Sequence, residues 1–80
     1  MDIWEKIKEH EGETFYLSGG EPLVYKVEGN SISHNRTKVK INKSNFEKAV
    51  ALNPQSTAEL QKVVTGPSYV YAIISDERMK

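Results

Sequence analysis

Arg36, Lys38 and Lys40 place a cation at every second position, with Thr37 and Val39 between them and Ile41 beyond. On an extended strand such side chains point to one side, roughly 7 Å apart, twice the per-residue rise. That distance is close to the phosphate spacing along a nucleic-acid strand. Lys43 continues the row into the next segment. Asn35, Asn42 and Asn45 add side-chain donors, and His34 or a tyrosine adds a ring for stacking. The pattern points to non-catalytic, weakly sequence-specific contact with a phosphate backbone through Arg36, Lys38, Lys40 and Lys43. A charged strand face has a second explanation, because edge lysines keep sheets from joining edge to edge. Three cations in five positions with no acid among them favour binding.

Other chemistries find less support. His10 and His34 are the only imidazoles, and neither stands at a recognised metal-ligand spacing from a second ligand. With no cysteine, disulfides and thiolate metal sites are excluded, and a reducing cytoplasm is the expected compartment. Ser18-Gly19-Gly20 lacks the Lys-Ser/Thr of a phosphate-cradling loop and reads as a turn. No serine has a Gly-x-Ser-x-Gly setting. An 80-residue chain leaves little room for a deep pocket. An enzyme is the least favoured class, and no cofactor or metal is expected.

Tyr69 and Tyr71 open a second possibility. Tyrosines are enriched in protein interfaces, and these two lie on the most apolar run of the chain. A protein-interaction or self-associating module is therefore the alternative to nucleic-acid binding.

The net charge of zero hides an asymmetry. Residues 1–33 hold seven acids against three lysines, a balance of −4; residues 34–48 hold five cations against Glu47, a balance of +4. Such a split marks either a basic binding face or two parts of one fold that attract each other. The first residues are charged, with no apolar core of a signal peptide behind them. The longest apolar run, 69–74, is far too short to cross a bilayer.

The elements that must position these residues follow from periodicity. Ile3, Trp4 and Ile7 predict a helix over 2–11, capped by Asp2 and stopped by Gly12. Strands are expected over 13–17 and 23–28, with a Gly29-Asn30 hairpin turn into a returning strand from Ser31. His34-Asn35 reads as a bulge, and 37–41 as the basic strand with Val39 and Ile41 inward. Ser44 and Glu47 form the pattern of a capping box for a helix over 42–53, ended by Asn53-Pro54. Ser56 and Glu59 repeat it for a helix over 57–64. The run 68–75, apolar on both faces, reads as a central strand. The sum is one small α+β domain over 1–80. It has a mainly antiparallel sheet of about four strands and three short helices, in the order α-β-β-β-α-α-β.

Overall fold

Trp4 and Ile7 form the buried stripe of a short helix, α1 (Ile3–Glu9). The computed structural model describes residues 3–79, so the cap expected of Asp2 lies outside the described residues. Gly12, at φ 86°, turns the chain into the first of four strands: β1 (Thr14–Tyr16), β2 (Pro22–Glu28), β3 (Ser31–His34) and β4 (Ile41–Asn42). They form one antiparallel sheet in the order β1-β2-β3-β4. With three α-helices beside it, the architecture is α+β.

Alternation sets which face of the sheet is covered. Leu23 and Tyr25 of β2 are buried while Lys26 and Glu28 are exposed. Phe15 stands opposite Leu23, and Ile32 lies between Val27 and Ile41. Glu28 pairs with Ser31 across the expected Gly29-Asn30 turn, with Gly29 at φ 64°. The inward side chains join Trp4 and Ile7 in one core. The Tyr25 hydroxyl donates to the Ile7 carbonyl in that core. This bond satisfies a carbonyl from the last turn of α1, where a helix has no partner of its own. Burial raises the Tyr25 hydroxyl above its ordinary pKa.

The helix α2 (Lys43–Leu52) follows β4 directly and buries Phe46 and Ala49. Phe46 meets Trp4 at a ring-centroid distance of 6.1 Å. Asn42 is its N-cap, without a side-chain cap bond. The Ser44–Glu47 box therefore does not form, because Ser44 already lies inside the first turn. Asn53 ends the helix in the left-handed conformation, φ 51°, donating its N–H to the carbonyls of Ala49 and Val50. The expected helix over 57–64 shrinks to a 3₁₀ turn, Thr57–Leu60. Its capping box does not form: Ser56 makes no side-chain cap bond, and Glu59 Oε2 accepts the N–H of Gln55, one residue before the N-cap, at 2.7 Å. Leu60 and Val64 are buried as their apolar character demands, but Val63 is 40% exposed.

The largest departure is the run expected as a central strand. It is a helix, α3 (Pro67–Ile74), with Val70, Ala72 and Ile73 buried. An apolar run of this length fits a buried helix as well as a buried strand. Pro67, just before that run, suits the helix: at the first turn its missing N–H costs nothing and its fixed φ is already helical. Tyr69 and Tyr71 thus stand on a helix that packs on α2, β1 and the 3₁₀ turn. The fourth strand is instead β4, only two residues long.

A second 3₁₀ turn, Glu77–Met79, closes on the start of the chain. The Arg78 guanidinium lies 3.8 Å from the Phe15 ring centroid and donates to Asp76, Glu13 and the Thr14 carbonyl. Lys6 Nζ donates to the Met79 carbonyl at 3.2 Å, and Met79 is buried. Lys80 lies outside the described residues.

Candidate nucleic-acid interface

The cations at Arg36, Lys38 and Lys40 stand on a loop, residues 35–40, between β3 and β4. The strand expected over 37–41 survives only as Ile41–Asn42. Side chains that bond to nearby backbone compete with the ladder; His34 and Thr37 do so here, while Asn35 still bonds across to β2. Asn35 Oδ1 accepts the Val24 N–H at 3.0 Å while the Asn35 N–H donates to the Val24 carbonyl at 3.1 Å. His34 Nδ1 accepts the Arg36 N–H at 3.2 Å, and Thr37 Oγ1 accepts the Val39 N–H at 3.2 Å. The chain turns twice within five residues. Val39, expected inward, is 58% exposed, while Ile41 is buried as expected.

The loop has two fixed ends. Asn35 prolongs the contact of β3 with β2, and Ile41 pairs with Ile32. Lys43, at the first position of α2, donates its backbone N–H to the Asn30 carbonyl at 2.7 Å. Arg36 and Lys38 are exposed and Lys43 is half-buried. Among the described residues no carboxylate lies within ion-pair distance of these three cations. Lys40 differs: its Nζ is 3.0 Å from Glu28 Oε1. The Ser33 hydroxyl and Lys40 together hold the Glu28 carboxyl below its ordinary pKa. Two acids of the first third have other partners. Glu11 accepts the Val27 N–H, and Glu13 pairs with His10 and Arg78. Glu47, one turn beyond Lys43, shares a shallow groove with it.

Beside the loop lies an aromatic pair. The His34 and Tyr69 rings approach to 4.6 Å between centroids, tilted by 40°. They line a recess of about 190 Å³ with Thr37, Val39, Ile41, Thr65 and Gly66. Burial lowers the His34 pKa, favouring the neutral ring. Because Nδ1 accepts from Arg36, the proton of the neutral ring sits on Nε2. That nitrogen is buried and has no hydrogen-bond partner.

No family model, curated protein or solved structure matches this chain. Its chemistry must be argued from its own residues.

The sequence pattern identified the four cations but not their company. The structure brings Arg36, Lys38 and Lys40 onto one loop, with Lys43 at its far root. It also brings the start of α3 against that loop, a contact between positions some thirty apart that periodicity does not encode. Gly66 reads from sequence only as a helix stop, yet it is the N-cap of α3, at φ 62°. Tyr69 and Tyr71 are both half-buried. Tyr69 faces His34, while the Tyr71 hydroxyl donates to the Gln55 carbonyl at 3.0 Å. His10 bonds Glu13 Oε2 at 2.9 Å rather than the last carbonyls of α1. Among the described residues no group of three or more His, Asp or Glu side chains is placed to hold a metal ion. No described helix is long and apolar enough to cross a membrane.

Proposed function

We propose that this chain is a binding module and not an enzyme, and that its β3–β4 loop grips the phosphate backbone of nucleic acid. The supporting observation is the exposure of Arg36 and Lys38 without a carboxylate partner among the described residues, on a loop pinned at both roots. Pinned roots matter because they lower the ordering cost of binding. Lys43 contributes a third cation from the start of α2. Lys40 is a reserve, engaged with Glu28 until a phosphate competes for it. Contacts of this kind position a nucleic acid without reading its bases, so affinity is salt-dependent and weakly sequence-specific. A cysteine-free chain suits the cytoplasm. Salt-titrated binding of a labelled oligonucleotide tests the reading.

A second reading, a protein-interaction module, has its own support. Val50, Leu52 and Val63 are 45%, 46% and 40% exposed. Val50 and Tyr71 line an open cleft of about 410 Å³ between α1, α2 and α3. Light scattering that finds a dimer disrupted by Val50→Asp would favour this reading over the first.

A further inference from the structure

We infer that the recess between the β3–β4 loop and the start of α3 takes an unpaired base of a single-stranded nucleic acid. The base stacks on the His34–Tyr69 pair while Arg36 and Lys38 hold the neighbouring phosphates. The inference rests on the phosphate-binding reading above and narrows its ligand from nucleic acid in general to a single strand.

Three features of the recess carry it. The walls are apolar and aromatic: Val39, Ile41 and Tyr69 face the same space as His34. Every base has a π-face, and stacking on an aromatic side chain is the common means of holding a single strand without reading its sequence. The bases of a duplex are already stacked and paired, so a recess of this kind is closed to them. Next, the cations sit beside the recess and not across the molecule. Arg36 is joined to His34 by its own N–H, and Thr37, itself a wall, adjoins both Arg36 and Lys38. A phosphate chain is the ligand that alternates flat apolar groups with negative charge.

The third feature is Gly66. A Cβ there would stand 3.0 Å from Tyr69 Cδ2 and 3.2 Å from Ile41 Cδ1, pressing on two walls of the recess.

The test titrates the full chain with a short oligothymidylate, an abasic oligomer of the same length and charge, and a duplex of that length. Affinity is read by fluorescence anisotropy and the contact surface by amide chemical shifts. The abasic oligomer should bind at least about tenfold more weakly than the thymidylate, and the duplex should bind more weakly as well. Amides of Thr37, Val39, Thr65 and Gly66 should shift with thymidylate and much less with the abasic chain. Tyr69→Ala should bring the thymidylate affinity down toward that of the abasic oligomer. Should that variant fail to fold, Val39→Ser, at an exposed loop position, should weaken thymidylate binding in the same direction. Equal affinity for thymidylate and abasic chains would overturn the base site and leave the phosphate reading standing. Equal competition by polyglutamate would also overturn it. Absence of binding to all three nucleic acids would overturn both.

Discussion

Lys40 Nζ lies 3.0 Å from Glu28 Oε1, so a side chain of the basic loop is clasped by the strand next but one in the sheet. The two ends of this pair are 57% and 42% exposed, where ion pairs add little stability and exchange partners readily. The pair also removes one cation from the field that a phosphate meets.

Releasing that cation should strengthen binding. Glu28→Gln is expected to raise affinity for a single-stranded oligonucleotide. It should also steepen the dependence of log K on log salt by about 0.7, the increment for one further cation. The melting temperature should change little, since both partners face water. Unchanged affinity and slope in this variant would show that Lys40 takes no part.

Acid should destabilise the protein in two stages. His34 has its pKa lowered from the ordinary 6.5 by burial. The unfolded chain therefore takes up a proton at a pH where the folded one does not, and stability falls as pH drops below about 6.5. Asp76, held low by Arg78, and Glu13, held low by His10 and Arg78, add stability that is complete above their ordinary values of 3.8 and 4.5. That share is lost as pH falls through their folded values. Melting temperatures recorded between pH 8 and pH 3 should show both stages, with His34→Gln removing the upper one. An upper stage that persists in the variant would assign it to another group.

Gly66 links the fold to the recess. Gly66→Ala forces a side chain into φ 62° and against Tyr69 and Ile41. The expected cost is about 1–2 kcal/mol. For a domain of this size that lowers the melting temperature by roughly 5–15 °C. A variant as stable as the parent would mean that the turn into α3 relaxes freely.

The parts of this fold that the sequence discloses are those whose contacts are local. The β2–β3 hairpin is legible because Leu23, Tyr25 and Val27 alternate with Val24, Lys26 and Glu28 up to a Gly29-Asn30 turn. The body of α2 is legible from Phe46 and Ala49, and its end from Asn53-Pro54. The cations Arg36, Lys38, Lys40 and Lys43 are visible as a pattern, but their backbone is not. Their alternation with Thr37 and Val39 imitates a strand, while the hydrogen bonds that His34 and Thr37 accept from the loop backbone depend on side-chain geometry. Tyr69 and Tyr71 read as strand residues because a short apolar run suits either kind of buried element. Pro67, just before that run, suits the helix. The recess itself had no local signal, since it exists only when the loop and α3 meet.

Salt-titrated binding of a short single-stranded oligonucleotide, compared between the natural chain and the double variant Arg36→Glu/Lys38→Glu, tests the central claim most directly. With Arg36, Lys38 and Lys43 engaged, log K should fall with log salt at a slope of about −2. The double variant should lose binding while keeping its melting temperature. Retained binding in the double variant, or an affinity indifferent to salt, would contradict the claim that this loop is a phosphate grip.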